Sequence, residues 1–255
     1  MRSLPQEILD MIIDELYELG EPTQDYSTVS RAWLNRTQKH HFEFPQFNCG
    51  RYLLERWQRA VEPDPLGPSQ HVRKLSCLDV NTLEGFGEHI RALTRVEQAV
   101  FICCGIFQSL ADIQPLTPLG SSLVELNIAK GKTTAAVMTS LLAALPHLRR
   151  LLVYDLYVER SEAAPIPIPF FDGANHFNFW GTRSSPGEYD WIPQTARFGH
   201  LSVAPSRILQ NTPTINQWLK SSAESLEYFH IGRPPHDLDF HGACPLWLSV
   251  IFDHL

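Results

Sequence analysis

Three short stretches carry side chains of the kind that do chemistry. Gly131-Lys132-Thr133-Thr134 sets a glycine, a lysine and two hydroxyls in the order used to cradle phosphate, between an expected strand and an expected helix. A phosphate loop of that kind needs a first glycine five residues ahead of Gly131, and Leu126 stands there. A nucleotide-binding enzyme built on this turn is therefore the weaker reading, and Thr133 or Thr134 reads more simply as a helix N-cap. His236, Asp237, Asp239 and His241 gather four metal-ligating groups within six residues. Turn chemistry after Pro234-Pro235 accounts for His236 and Asp237, and nothing in the spacing makes the four groups converge. The five cysteines, Cys49, Cys77, Cys103, Cys104 and Cys244, contain no Cys-x-x-Cys pair. Cys103 and Cys104 sit in an apolar run, where a thiol behaves as a small buried hydrophobe. With no Gly-x-Ser-x-Gly elbow either, the expectation is no catalytic residue, no metal site and no cofactor: a chain that is not an enzyme.

Composition narrows the partners. The 255 residues are 44% hydrophobic, enough for a substantial core, and carry a net charge of −7, so there is no overall basic footprint for a phosphate backbone. Nucleic acid is not expected. Nor is a membrane, since no apolar run reaches the roughly 18 residues that spanning requires. The chain opens on an acidic helix instead of a basic and apolar leader, and its cysteines are odd in number, which together predict a reduced compartment, cytoplasmic and/or nuclear.

Whatever the chain does must then depend on its surfaces, and the first forty residues define one. Ser3 with Gln6 three positions on, and Pro5 in the first turn, predict a helix start. Ile8, Ile12 and Leu16 recur at i, i+4 and i+8 with Leu9 and Ile13 beside them, while Glu7, Asp10, Asp14, Glu15 and Glu18 occupy the remaining face. Gly20 and Glu21-Pro22 stop it. A second helix opens near Ser27 or Thr28 and sets Val29 and Trp33 on one face. A hairpin of this size is too small to bury a core alone, so it reads as a docking element.

At these residues the chain resembles a known family. Leu4-Pro5-x-Glu7-Ile8-Leu9, then Ile12-Ile13 and Leu16, followed by Val29-Ser30-Arg31-x-Trp33-Leu34, is similar to an F-box, in particular to F-box-like proteins of mushroom-forming fungi, over about the first forty-five residues. The resemblance implies binding to a Skp-type adaptor, and through it to a cullin, with Leu4, Pro5, Ile8, Leu9, Ile12, Val29 and Trp33 as contact residues. The segment Gln24, Asp25, Tyr26 and Thr28 is more polar than that pattern, which keeps open an interaction module with a relic F-box that no longer holds the adaptor.

Residues 1–45 are thus expected to form the helical module. Leu53, Leu54, Trp57 and Val61 predict a connecting helix, and three prolines and a glycine in Glu62 to Pro68 mark a linker, so 46–68 is read as the connection. From 69 to 255 an apolar-x-x-apolar-x-apolar pattern recurs, with middle residues Leu75, Ala99, Leu126, Leu151, Leu201 and Phe229 at steps of 24, 27, 25, 50 and 28 residues. Those steps match leucine-rich repeats, the long one counting as two. Helical patterns at Leu83 to Leu93, Thr133 to Leu145 and Ile215 to Leu219 fall between the anchors. The expected fold is α/β: an F-box-like hairpin followed by an irregular leucine-rich-repeat-like solenoid with a curved parallel sheet. At about 159–197 the repeat is expected to fail, in an insertion rich in proline and aromatics, either a distorted repeat or a long loop, whose rings either offer a contact surface or, more simply, fill the interior. The apolar stretch Cys244 to Phe252 replaces the polar cap that a solenoid needs, as if the chain were shorter than its relatives or folded over to cap itself. The expected function is a non-catalytic substrate receptor of an SCF-type (Skp-cullin-F-box) ubiquitin ligase that holds an unknown protein substrate on the repeats.

Overall fold

Apolar anchors repeating every 25 residues or so, with short connections, favour each strand lying beside its predecessor and pointing the same way. The computed structural model describes residues 4–19, 31–43, 46–48, 57, 68–78, 90–102, 107–159, 168–173, 175–180, 191–203 and 205–231. Its strands are Gln46–Asn48 (β1), Lys74–Leu78 (β2), Gln98–Ile102 (β3), Glu125–Thr134 (β4), Arg150–Glu159 (β5), Asn175–Trp180 (β6), Phe198–Val203 (β7) and Tyr228–Ile231 (β8). They form one eight-stranded sheet in strict chain order, and every neighbouring pair is parallel. The α-helices that can be given bounds among the described residues are Gln6–Glu18 (α1), Arg31–Glu43 (α2), Leu110–Ile113 (α3), Ala135–Ala143 (α4) and Pro205–Ser221 (α5). The protein is a mixed α/β molecule with a parallel sheet and an N-terminal helical region.

The anchors explain the register. Leu75, Ala99, Leu126, Leu151, Phe177, Leu201 and Phe229 pair in one continuous row, and all but Phe229 on the terminal strand are buried. Each fully buried Leu or Phe among them contributes about 2 kcal/mol of transfer free energy, and Ala99 less. The apolar residue three positions ahead of each anchor is buried as well at Val72, Val96, Leu123, Leu148 and Phe198. Together with α4 and Trp218 of α5 these side chains make one continuous core, which Phe42 of α2 joins through an edge-to-face contact with Trp57 at 5.8 Å. The sheet therefore starts at β1, ahead of the Pro-rich stretch that separates Glu62 from Pro68, and the helical region leans on its first strands.

Beyond the strand starts, a further ladder holds the register. The Arg73 carbonyl accepts from the N–H groups of Glu97 and Gln98, the Glu97 carbonyl from Val124 and Glu125, and the Val124 carbonyl from Arg149 and Arg150, all at 2.8–3.1 Å. Buried polar side chains close the connections: Thr133 Oγ1 donates to the Phe107 carbonyl at 2.6 Å and Asn175 Nδ2 to the Phe170 carbonyl at 2.7 Å. Each satisfies a backbone group that burial would otherwise leave costly.

Several local expectations are corrected. Among the described residues between 159 and 197 there is one further parallel strand in place of a failed spacing: β6 supplies Phe177, which lies 26 residues after Leu151 and 24 before Leu201, so the step of 50 divides into two ordinary steps, as the sequence count has it. Of the two readings of the aromatics there, interior filling holds for the described rings, with Phe170, Phe171, Phe177, Phe179, Trp180 and Trp191 all buried. Pro5 is the N-cap of α1 and lies outside the first turn. The helix expected from Thr133 begins at Ala135, because β4 runs on through Thr134. Ser3, Val29, Tyr189, the segment Gln24 to Thr28, most of the connecting helix and everything after Ile231, including the His236 to His241 cluster and the apolar C-terminal stretch, lie outside the described residues.

Candidate functional site

The site begins with what turns α1 toward α2. Ile13 is fully buried, Gln6 Nε2 donates to the Ala32 carbonyl at 2.8 Å, and the Tyr17 ring stacks on His40 with centroids 4.3 Å apart. Arg36 forks onto Asp14, its Nε donating to Oδ1 at 2.6 Å and its Nη2 to Oδ2, while His40 Nε2 stands 2.6 Å from the same Oδ1. A two-pronged guanidinium contact fixes orientation as well as charge. The Arg36 hydrogen bond, helped by His40 and opposed by burial, holds the Asp14 carboxyl far below the usual carboxylate range. In return Asp14 raises the Arg36 guanidinium. Asp14 was expected among the solvent-facing acids and instead clamps the two helices.

With Ile13, Asp14 and the half-buried Leu9 and Leu16 facing inward, the other apolar side chains of α1 face out. Leu4, Ile8, Met11 and Ile12 are 55%, 41%, 66% and 37% exposed. They follow helical spacing, so they form one stripe. Among the sequence-predicted contact residues, Leu4, Pro5, Ile8 and Ile12 are therefore brought together on the surface, Leu9 and Trp33 are half-buried, and Val29 is not described. Met11, the most exposed of the stripe, was missed by the sequence reading, although its place at i+3 from Ile8 was signal enough.

The second surface is the sheet face opposite the core. Its outermost row, in register, reads Lys74, Gln98, Glu125, Arg150, His176, His200 and Tyr228. Cross-strand pairs lock it: Gln98 Nε2 donates to Glu125 Oε1 at 2.6 Å, Arg150 Nη1 lies 3.6 Å from Glu125 Oε2, and the rings of His176 and His200 stack at 3.9 Å and 5°. Burial, then His200 and Arg150, push the His176 imidazole below its ordinary value. At the strand-entry edge this row opens into a groove of about 970 Å³, bounded on one side by Lys39 and Glu43 of α2.

The phosphate-like turn does not form a loop. Gly131, Lys132, Thr133 and Thr134 are extended residues of β4, Lys132 Nζ lies 2.7 Å from Glu159 Oε1, and Thr134 Oγ1 accepts from the Val137 N–H as the N-cap of α4. Among the described residues no three metal-ligating side chains cluster, and no helix is long and apolar enough to cross a membrane. Cys77 is buried in the core face of β2. No family model, curated protein or solved structure matches this chain.

Proposed function

We propose that the chain is a non-catalytic substrate receptor of an SCF-type ubiquitin ligase, its N-terminal helices docking on a Skp-type adaptor and, through it, on a cullin, and its repeats holding a protein substrate. The observation that carries this reading is the exposed stripe of Leu4, Ile8, Met11 and Ile12 on a helix whose opposite side is already clamped to α2. A helix that needs only one apolar face for its own packing has no structural use for a second. Side chains of this kind are what a groove-type partner buries as i, i+3, i+4 anchors. The strictly sequential parallel sheet, with anchors repeating every 24 to 28 residues, supports an irregular leucine-rich-repeat-like solenoid as the substrate-holding part. Such a receptor works by raising the local concentration of substrate near the transfer machinery and carries out no bond-making itself. It would act in the cytoplasm and/or the nucleus.

The test is capture of a purified Skp-type adaptor by the full chain, beside an Ile8→Asp/Ile12→Asp variant. Both positions are exposed, so the variant is expected to fold with an unchanged melting temperature and to lose capture by at least tenfold. If the native chain captures no adaptor, the receptor reading is abandoned, leaving an interaction module with a relic F-box.

A further inference from the structure

The groove at the strand-entry edge has a charge opposite to that of the molecule. The chain as a whole carries −7. The groove is lined by six Lys and Arg side chains, Lys39, Arg73, Lys74, Arg95, Arg149 and Arg150, against three glutamates, Glu43, Glu97 and Glu125. Two of the cations are already matched, Arg73 to Glu97 at 3.0 Å and Arg150 to Glu125 at 3.6 Å. Among the described residues Arg149 reaches the Asn175 amide oxygen, at 3.5 Å, and no carboxylate. Lys39, Lys74 and Arg95 have no carboxylate partner among the described residues. An excess of three positive charges is thus gathered in one concavity, and both imidazoles in it register the field. His71 is held low by burial first, then by Lys39, Arg95 and Arg73; His176 by burial, then by His200 and Arg150.

We propose that this groove, running from α2 across the entries of β2 to β6, binds an extended acidic segment of a protein partner. The dimensions and the charge together select that occupant. Five parallel strands about 4.8 Å apart span roughly 19 Å, the length of about six extended residues. Three or four Asp or Glu within six residues would balance the excess. A single nucleic-acid strand of the same length brings about six phosphates, at one charge per 3.4 Å or so, which overshoots that excess while three glutamates oppose it. An apolar segment finds little there, since Val124 is the one apolar residue in the lining. Charge complementarity of this kind chooses partners and speeds encounter more than it adds raw affinity, so binding should be modest and salt-sensitive. For its biological consequence the proposal rests on the receptor reading above; the binding itself belongs to the chain alone.

The experiment is fluorescence anisotropy of the full chain with a labelled decapeptide containing six Asp and Glu residues. Controls are the same peptide with Gln and Asn in their place, and a ten-nucleotide single-stranded RNA, each at 50 and 200 mM salt. The expected result is binding of the acidic peptide at least tenfold tighter than either control, weakened several-fold by the higher salt. A Lys74→Glu/Arg149→Glu variant should lose at least tenfold, and Lys39→Glu, placed on α2, should lose several-fold without altering the melting temperature. No binding of the acidic peptide, equal binding of its neutral counterpart, tighter binding of the RNA, or indifference to charge reversal would each overturn the proposal. Adaptor capture by the same preparations separates the two readings. Capture lost in Ile8→Asp/Ile12→Asp with peptide binding intact supports both, peptide binding without any capture removes only the receptor, and capture without peptide binding removes only the groove.

Discussion

Gly120 shows how little room the connections leave. A Cβ built there would lie 2.2 Å from the Ala144 carbonyl oxygen at the end of α4, a backbone atom that cannot swing aside. Gly120→Ala is therefore expected to destabilise by about 2–3 kcal/mol, as overpacking of a tight contact does, and chemical denaturation would read it as a lower midpoint at unchanged slope. Lys130 is the opposite case. It stands at φ 54°, and Asp155, on the neighbouring strand, at φ 51°, both in the left-handed region that costs a non-glycine residue about 1 kcal/mol. The two positions interrupt the β4–β5 pairing between Ala129↔Tyr154 and Gly131↔Leu156. There the alternation reverses, so that Leu151 and Val153 are buried before the break and Leu156 and Val158 after it, while the register stays the same because each strand carries one left-handed residue at the same place. Lys130 is exposed, so Lys130→Gly should raise the thermal midpoint, the relief of strain outweighing the added chain entropy by a few tenths of a kcal/mol. A fall in the midpoint would show that the left-handed backbone is not the dominant cost.

Among the elements, α1 is the one that both packs and presents, and Asp14 decides which face does which. An unfolded carboxyl titrates near pH 4. The folded one titrates lower, because Arg36 and then His40 bind its charged form. Stability from the clamp is therefore complete above about pH 4 and is lost as pH falls below that value. The pair is about one-third exposed and screened, which keeps its worth near 1 kcal/mol. Asp14→Asn is accordingly expected to lose about that much at pH 7 and progressively less than wild type loses as pH drops below 4, measured by urea unfolding across the pH range. Hydrophobic spacing identified α1 as amphipathic and placed the apolar residues correctly along it. Which apolar side meets α2 was not legible, because the answer is carried by Arg36 and His40 one turn apart on another helix, and spacing within α1 holds no record of them. Of the exposed stripe, Leu4, Ile8 and Ile12 were legible as apolar positions and Met11 was not. The basic groove was not, since its cations come from α2 and from the starts of β2, β3 and β5, separated by twenty or more residues each, and they meet only when the register is known.

At the scale of the molecule, the anchors made the sheet readable in advance, since a strand that buries one face repeats its apolar signature wherever the chain returns. The one strand missed shows the limit of that signal. Ala174, Phe177 and Phe179 satisfy the same spacing, but a proline-rich approach and a surplus of aromatics mask it. Phe177 is also where the architecture is most exposed to test. It is fully buried, with Phe198 stacked at 5.4 Å and Phe171, Phe179 and Trp191 within 6.3 Å. Phe177→Ala should cost about 3–5 kcal/mol. In a sheet whose strands touch only their chain neighbours, that loss need not spread evenly. Amide hydrogen exchange of the variant is expected to speed up in β6, β7 and β8, which depend on the Phe177 layer, while β2, β3 and β4 keep most of their protection. Uniform loss across all eight strands would mean that the core behaves as one cooperative unit, and the repeat reading of the sheet would have to give way to that of an ordinary α/β domain.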